Sequence, residues 1–242
     1  MPESNPNPEA RICNPGQDAA ILFARTPLPG RIKSRLQPQL TPEQALRLHV
    51  AATLDTADFL DGAFPGEASI ARWIFWSEPP APDSRHLGLP LSFVCAIQQG
   101  KDLGERMADA FARAFAAGAR RVVIVGSDSP HLPASRLPQS LAALDDHDCV
   151  LGPAEDGGYY LIGCRRFDSG LFHGVEWGSS QVLEQTRANA ARLGYLVSVL
   201  ESCYDLDEWR DVERLIAEAR RGLALPPRVA AFLKQLEKEK GE

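Results

Sequence analysis

Apolar residues follow two alternating patterns along the chain, short continuous runs and longer stretches with a helical repeat. The short runs are typical of buried strands, and they predict strands at 19–24, 69–76, 91–97, 121–126, 148–153, 158–163 and 195–200. The longer stretches predict helices from 41 onward, at 103–118, near 135–145, and at 179–193, 207–221 and 227–239.

The alternation of helices with apolar strands predicts an α/β fold with a mostly parallel sheet. The run at 158–163 has no helix before it, so it predicts an antiparallel element and a mixed sheet. No internal repeat or long linker divides the chain. We therefore expect one domain over 19–242, preceded by a disordered, Pro- and Asn-rich tail at 1–18.

Composition excludes several classes of protein. The 242 residues are 44% hydrophobic, which is ordinary for a soluble globular protein. The net charge of −6 argues against nucleic acid or an anionic membrane as a partner, and no apolar run is long enough to span a bilayer. The five cysteines are odd in number and lack CxxC spacing, so we predict neither disulfides nor a zinc site, and a cytoplasmic location.

The first predicted strand leads into a stiff cationic loop, RTPLPGRIKSRL at 25–36. Two prolines and a glycine restrict the chain before Arg31, Lys33 and Arg35 occupy alternate positions. Concentrated positive charge in an acidic protein indicates an anion site, with a solvated surface as the alternative interpretation. Alternating residues of an extended segment face opposite ways, so these cations can face one phosphate only if the loop curls.

Carboxylates follow the later strands. Asp128 lies in GSDSP after the strand at 121–126, and Asp205 and Asp207 follow the last strand. Ligands of open α/β sheets bind beyond the carboxyl ends of the strands. Cations beside carboxylates at that edge suit a nucleotide di- or triphosphate with Mg²⁺ or Mn²⁺. The structural alternatives are a turn cap for Asp128 and a helix N-cap for Asp207.

Other catalytic signatures are absent from the sequence. It has no P-loop, no GxGxxG after the first strand, no GxSxG nucleophile elbow and no HExxH motif. His131 follows the Asp-Ser-Pro turn, but a lone histidine is more often structural. The segment at 155–158 also has a plain hairpin turn as its alternative interpretation.

Several segments occur in an order that closely resembles a bacterial family of GT-A-fold transferases. Its members are described as glycosyltransferases or as transferases associated with radical-SAM or selenium domains. The segments are ARTPLPGRIKSRL, QGKDLGERM, GSDSP, GPAEDGGYYLIG, WGSS and YDLDEWRDV, within about residues 19–215. GPAEDGGYYLIG and QGKDLGERM are the most specific. More distantly, the pattern is similar to molybdenum-cofactor guanylyltransferase and 2-phospholactate guanylyltransferase.

This resemblance implies a nucleotide-diphospho-sugar transferase fold, a three-layer α/β/α sandwich with nucleotide bound over the carboxyl edge of the sheet. It implies that Asp128 matches the metal-binding aspartate of a DxD-like position and that Asp207 matches a second ligand of Mg²⁺ or Mn²⁺. The chain departs from the family at Ser34, where threonine is usual, and at Glu208-Trp209, which replace Thr-Pro.

The resemblance also supplies the expected site residues. The catalytic candidates are Asp128, Glu155 and Asp156, of which the last two would act as general base or orient an acceptor hydroxyl. The nucleotide-binding candidates are Ala24, Arg25, Pro29, Gly30, Arg31, Lys33, Arg35, Gly126 and Ser127. The substrate-binding candidates are Gly157, Gly158, Tyr159 and Trp177.

The leading functional prediction is a metal-dependent transferase that uses a nucleotide-activated donor. The expected reaction is glycosyl transfer from a nucleotide-diphospho-sugar to a small acceptor, which releases a nucleoside diphosphate. The second hypothesis is a nucleotidylyltransferase that joins an NTP to a phosphorylated small molecule and releases pyrophosphate. The third is a nucleotide-binding module without catalysis.

Overall fold

The computed structural model describes residues 13–37, 39–63, 70–79 and 87–241, which contribute to one seven-stranded sheet. The strands are β1 (Asp18–Ala24), β2 (Ile70–Trp76), β3 (Phe93–Ile97), β4 (Val122–Gly126), β5 (Cys149–Pro153), β6 (Tyr159–Cys164) and β7 (Val197–Val199). The α-helices are α1 (Pro42–Gly62), α2 (Leu103–Ala116), α3 (Arg136–Asp146), α4 (Val182–Arg192), α5 (Trp209–Arg220) and α6 (Pro227–Gly241).

The strands are ordered β3-β2-β1-β4-β6-β5-β7 across the sheet. All neighbouring strands pair in parallel except β6, which pairs antiparallel with both β4 and β5. The predicted mixed, mostly parallel sheet is confirmed. Because β1 to β4 run in the same direction, the segments that follow them meet at one edge of the sheet.

Successive side chains of a strand face opposite sides of the sheet, and each side is covered by its own helices. Ile21 belongs to the core on one side, with Phe111 of α2 and Ala190 of α4. Leu22 belongs to the core on the other side, with residues of α1 and α3 such as Leu141. The predicted three-layer α/β/α sandwich is confirmed.

Helix α1 begins at the predicted capping box. The Thr41 hydroxyl accepts a hydrogen bond from Gln44 N at 3.2 Å, and the Gln44 side chain accepts one from Thr41 N at 2.9 Å. The outer face of α1 packs against α5 and α6, where Leu48 and Phe232 share a third apolar cluster. The carboxy-terminal helix α6 therefore packs on its own domain.

Several predicted boundaries shift. Cys13 is buried in the core, and Gly16 N donates to Gly118 O at 2.9 Å. Residues 13–17 thus pack on the domain and β1 begins at Asp18, so the predicted disordered tail is too long at its carboxyl end. Residues 1–12 of that tail lie outside the described residues.

Other boundaries move inward. Helix α4 begins at Val182 rather than 179, and β7 covers only Val197–Val199.

The cysteines are free, as predicted. Within the part of the chain that the structure describes, no helix is both long enough and apolar enough to cross a membrane.

Candidate active site

A cavity of about 620 Å³, here called the first cavity, opens at the carboxyl edge of β1 to β4. Its walls come from the segments that follow these strands, together with the start of β6. The lining residues are Phe23, Ala24, Arg25, Thr26, Arg31, Ile32, Ser77, Glu78, Gln98, Leu103, Arg106, Gly126, Ser127, Asp128, Tyr159, Tyr160 and Asp205. Of the nine nucleotide-binding candidates, five are therefore present: Ala24, Arg25, Arg31, Gly126 and Ser127.

The remaining four candidates lie elsewhere. Pro29 and Gly30 form an exposed turn next to the first cavity, where Arg31 N donates to Leu28 O at 3.2 Å. Gly30 has a φ of +76°, which favours glycine at this turn. Lys33 is buried beneath the loop and Arg35 faces a second cavity described below.

A cationic wall, formed by Arg25, Arg31 and Arg106, borders the first cavity. Arg31 Nη1 lies 3.3 Å from Glu78 Oε2, and both side chains are exposed. An ion pair in solvent is weak, so Arg31 can leave Glu78 for a stronger anion. The cationic wall therefore presents guanidinium groups, which suit phosphate oxygens geometrically.

The segment QGKDLGERM brings Arg106 to this wall. Asp102 caps α2 by accepting from Glu105 N at 2.8 Å, and the Glu105 carboxylate accepts from Lys101 N at 2.9 Å. Gly100 has a φ of +142°, and a Cβ there would stand 2.7 Å from Arg106 N. Only glycine allows this tight approach, so the segment fixes the first turn of α2 at the rim of the first cavity.

The floor of the first cavity is held by hydrogen bonds between neighbouring strand ends. Thr26 N donates to Ser77 Oγ at 3.0 Å, and Thr26 Oγ1 donates to Glu78 O at 2.5 Å. Gln98 Nε2 donates to Phe75 O at 2.9 Å. These bonds join the segments after β1, β2 and β3 into one rigid surface.

The Lys33 side chain connects the cationic loop to the segment after β4 and to the segment after β7. Its Nζ donates to Asp128 Oδ1 at 2.6 Å and to Leu206 O at 2.7 Å, and lies 3.8 Å from Asp207 Oδ1. Its side chain is only 3% exposed. Lys33 has a φ of +46°, a left-handed conformation that is uncommon outside glycine.

The loop does curl at Lys33, but its three cations diverge. Arg31 reaches Glu78, Lys33 points inward, and Arg35 Nη1 lies 3.5 Å from Asp207 Oδ2. Lys33 and Arg35 thus share Asp207, whereas Arg31 faces the first cavity, so the curl does not bring all three cations to one position.

Asp128 remains open to a ligand although it is paired. Its side chain is 43% exposed and lines the first cavity. Burial of the carboxyl opposes ionisation, but Lys33, His49 and Arg25 together outweigh burial and hold the pKa of Asp128 below its ordinary value. Asp128 is thus an anion above mildly acidic pH.

Asp205 lies between the two cavities and behaves differently. It accepts a short hydrogen bond from the Ser129 hydroxyl. Burial, with the nearby charges of Asp128 and Asp156, raises the pKa of Asp205 to about 6. The neighbouring carboxylates thus add to the effect of burial, which is the larger cause of the raised pKa.

A second cavity of about 400 Å³ adjoins the first through Asp205. Its lining residues are Arg35, Glu155, Asp156, Tyr204, Asp205, Asp207, Glu208, Arg210, Asp211 and Arg214. The Asp211 carboxylate accepts from Asp207 N and Glu208 N at the start of α5, at 3.1 and 2.7 Å. Asp207 is therefore not the N-cap, and its carboxylate is left to face Lys33 and Arg35.

The turn between β5 and β6 supplies Glu155 and Asp156 to the second cavity. Arg214 Nη1 donates to Glu155 Oε2 at 2.7 Å, and this bond holds the pKa of Glu155 below its ordinary value despite some burial. Asp156 Oδ1 accepts from Gly158 N at 2.8 Å within the turn. The hairpin interpretation of this segment is therefore correct, and it is compatible with a role in the site.

Of the four expected substrate-binding residues, only Tyr159 lines one of the two cavities. Tyr159 lines the first cavity, and burial raises the pKa of its hydroxyl. A Cβ on Gly157 would stand 2.2 Å from Ser180 O, so Gly157 is required for close packing of the turn. Gly158 belongs to the same turn, and the ring of Trp177 packs against Gly104 in α2. Gly157, Gly158 and Trp177 do not line the first or the second cavity.

Sequence reasoning missed several lining residues as site candidates: Thr26, Ser77, Glu78, Gln98 and Arg106. A signal was present for most of them. Ser77 and Gln98 directly follow β2 and β3, whose ends belong to the same edge as that of β1. Arg106 lies in QGKDLGERM, one of the most specific segments of the resemblance.

Comparisons with known proteins agree with this architecture. One solved structure, from Desulfovibrio desulfuricans G20, is named as a nucleotide-diphospho-sugar transferase. Its sequence is 29% identical to this chain and its TM-score is 0.81. The match covers 92% of this chain and 96% of that chain. The chain has the nucleotide-diphospho-sugar transferase fold. The predicted resemblance, and the predicted enzyme class of a transferase of this superfamily, are confirmed.

Residues 61–179, just under half of the chain, match a family described as "Uncharacterized protein conserved in bacteria (DUF2064)". No curated protein matches the sequence.

More distant solved structures share the fold. A 4-diphosphocytidyl-2C-methyl-D-erythritol synthase from Anaerococcus prevotii is 8% identical with a TM-score of 0.56, over 85% of this chain and 96% of that chain. CMP:2-keto-3-deoxy-manno-octonic acid synthetase, solved in complex with CTP, is 12% identical with a TM-score of 0.52, over 86% of this chain and 100% of that chain.

Proposed function

We propose that this protein is a metal-dependent transferase that moves a glycosyl group from a nucleotide-diphospho-sugar to a small acceptor. The observation that carries the proposal is the first cavity, which has the cationic wall on one side and Asp128 with Asp205 on the other. A nucleoside diphosphate needs both kinds of group, since its phosphates attract guanidinium groups and its bound cation attracts carboxylates.

The nucleotide part of the donor would lie along the ends of β1, β2 and β3. Arg25, Arg31 and Arg106 would bind phosphate oxygens, and Gly126 and Ser127 would allow close approach at the end of β4. Positive charge fixed around the diphosphate stabilises it as a leaving group, because negative charge develops there as the glycosyl bond breaks.

The carboxylates fit a hard divalent cation. Asp128 and Asp207 are both about half exposed and both lie within 4 Å of the same ammonium, and Asp205 lines the first cavity together with Asp128. Among the described residues no ready-made group of three or more metal-binding side chains exists, so phosphate oxygens would complete the ligand set. Mg²⁺ or Mn²⁺ held there would neutralise charge on the departing diphosphate.

The second cavity would hold the acceptor, because it adjoins the first through Asp205. Asp156 is the better candidate for a general base that receives the proton of the acceptor hydroxyl, since its carboxylate accepts a neutral hydrogen bond from Gly158 N and not the charged one that Glu155 accepts from Arg214. The ion pair with Arg214 makes Glu155 a weaker base, and Glu155 would orient the acceptor instead.

The charge of the second cavity favours glycosyl transfer over nucleotidylyl transfer. Its acidic residues outnumber its basic ones: Glu155, Asp156, Asp205, Asp207, Glu208 and Asp211 against Arg35, Arg210 and Arg214. This excess of negative charge would repel a phosphorylated acceptor, whereas a neutral or cationic hydroxyl compound meets no such barrier. Nucleotidylyl transfer is the second candidate, supported by the fold that the chain shares with cytidylyltransferases.

A thermal-shift screen of NTPs and nucleotide sugars, with and without Mg²⁺ or Mn²⁺, tests the proposal. A ligand present at 100 times its dissociation constant adds about 2.7 kcal/mol to the free energy of unfolding. We expect metal-dependent stabilisation by one nucleotide sugar above its NTP, and release of the nucleoside diphosphate on addition of acceptor. Preference for an NTP would favour nucleotidylyl transfer, and binding without any turnover would favour a non-catalytic module. No response to any nucleotide would contradict all three.

A further inference from the structure

Lys33 holds the position at which the carboxylates of the site approach one another. Its ammonium contacts a carbonyl oxygen, of Leu206, and a carboxylate oxygen, of Asp128, and faces a second carboxylate, of Asp207. Two carboxylates and a carbonyl are also a suitable ligand set for a divalent cation. The oxygen atoms that contact the Lys33 ammonium could therefore also bind a divalent metal ion.

We propose that Lys33 is an internal counter-ion that occupies the cation position between Asp128 and Asp207, and that Mg²⁺ or Mn²⁺ enters by displacing it. This inference rests on the metal site of the proposed function. In this role Lys33 positions the carboxylates and opposes metal binding until nucleotide is present. It is not a direct ligand of the phosphates.

Burial makes the Lys33 ammonium an effective competitor. Its side chain is 3% exposed, so its attraction to the carboxylates is poorly screened by water. Arg35 also reaches Asp207, but its side chain is 69% exposed and its effect is correspondingly weak. When a metal ion binds without nucleotide, its main competitor is therefore the Lys33 ammonium and not the summed positive charge of the loop.

The lysine side chain suits such an exchange. It is a flexible chain with a compact charge, and it can withdraw from the carboxylates without a change in the backbone. A nucleotide supplies further oxygen ligands for the cation and further negative charge for the released ammonium. Metal entry would thus be favourable with nucleotide and opposed by Lys33 without it, which keeps the two binding events coupled.

Calorimetric titration of the full chain with Mn²⁺ alone tests the exchange. Lys33→Gln removes the charge but keeps a donor for Leu206 O, and we expect it to bind Mn²⁺ roughly tenfold or more tightly than the unmodified protein. Arg35→Gln is the matched control, because it removes one positive charge from the same loop and beside the same Asp207. We expect it to change Mn²⁺ affinity by about twofold or less.

Equal or weaker Mn²⁺ binding by Lys33→Gln would overturn the exchange while leaving the metal site intact. Absence of Mn²⁺ binding in every variant would overturn both the exchange and the metal requirement. If Lys33→Gln is unfolded without metal, we expect added Mn²⁺ to restore its cooperative melting transition. Lys33→Met is the second variant for this case. Failure of Mn²⁺ to restore folding to both variants would equally contradict the proposal.

Discussion

The two edges of the sheet neutralise their carboxylates in opposite ways. At the amino edge, Asp148 accepts from Arg165 and Arg166 at 3.0 and 2.8 Å and from Leu196 N at 3.0 Å. At the carboxyl edge, one buried ammonium faces both Asp128 and Asp207, and Asp205 has a raised pKa. Cations outnumber the carboxylate at the first edge, and carboxylates outnumber the buried cation at the second.

This difference separates stability from function. A buried carboxylate with every lone pair occupied lowers the energy of the folded chain and has nothing left for a ligand. A group of incompletely neutralised carboxylates costs stability, but it is prepared to bind a cation. Functional sites commonly store such unfavourable electrostatics, which the surrounding fold must offset.

The largest expected effect comes from Asp128→Asn at the carboxyl edge. The variant removes the charge that would hold the cation, and we expect transferase activity to fall about a hundredfold or more. The measurement is release of nucleoside diphosphate from the donor found by the thermal-shift screen. Full activity in a folded Asp128→Asn protein, with folding checked by circular dichroism, would remove Asp128 from the catalytic group.

Asp148→Ala tests the amino edge. Loss of this carboxylate removes the hydrogen bonds that Arg165, Arg166 and Leu196 N donate to it, and we expect the free energy of unfolding in urea to fall by about 3 kcal/mol. Activity of the folded fraction should be unchanged. Arg187→Ala, which breaks an exposed pair with Glu184 in α4, is the control and should cost about 0.5 kcal/mol or less.

The same variant has a predicted pH dependence. The Arg166 hydrogen bond holds the pKa of Asp148 well below its ordinary value of 3.8, even though burial opposes this. Its contribution to stability is therefore full above that ordinary value and is lost as the pH falls toward the folded-state pKa. The difference in stability between the unmodified protein and Asp148→Ala should be constant at neutral pH and shrink below about pH 4. A difference that grows in acid would contradict this interpretation of the pair.

The smallest effect is expected from His131 at the carboxyl edge. Burial lowers the pKa of His131 from 6.5 to about 4, and its ring packs on Tyr204 at 4.1 Å and contacts Cys203 Sγ at 3.3 Å. Between these pKa values the unfolded chain binds a proton that the folded chain does not, so stability falls as the pH decreases. His131→Phe keeps the ring contact and should remove about 2 kcal/mol of this loss, measured by urea unfolding at pH 7 and pH 4.5. Identical pH profiles would show that His131 is not the responsible group.

The sheet and its helices could be predicted because their causes are local. The capping box at Thr41, the β-branched run of β4 and the short turn before β6 each determine structure within a few residues. Boundaries were less predictable where tertiary packing decides them. Helix α4 begins late because the preceding segment packs against Gly157, a contact between residues distant in sequence.

The site was predictable in location but not in assembly. Sequence placed Asp128 and the cationic loop at one edge, because the alternation of helices and strands predicts a mostly parallel sheet, in which the carboxyl ends of the strands share an edge. It could not show that Lys33 turns inward through a left-handed backbone, or that Arg106 completes the cationic wall in place of Lys33 and Arg35. These outcomes depend on side chains from separate segments meeting in space, and a single sequence contains no local signal for such meetings.

The antiparallel insertion of β6 between β4 and β5 has a consequence for how this protein can diversify. A two-strand hairpin accepts insertions at its tip without any change in strand order, whereas a change in a crossover helix would disturb a whole layer. The tip here is the turn that faces the second cavity, where Gly157 packs against Ser180 and Glu155 pairs with Arg214. Under the proposed function, variation beside these contacts would change acceptor preference and leave the first cavity unchanged, so laboratory evolution of altered acceptor range should begin there.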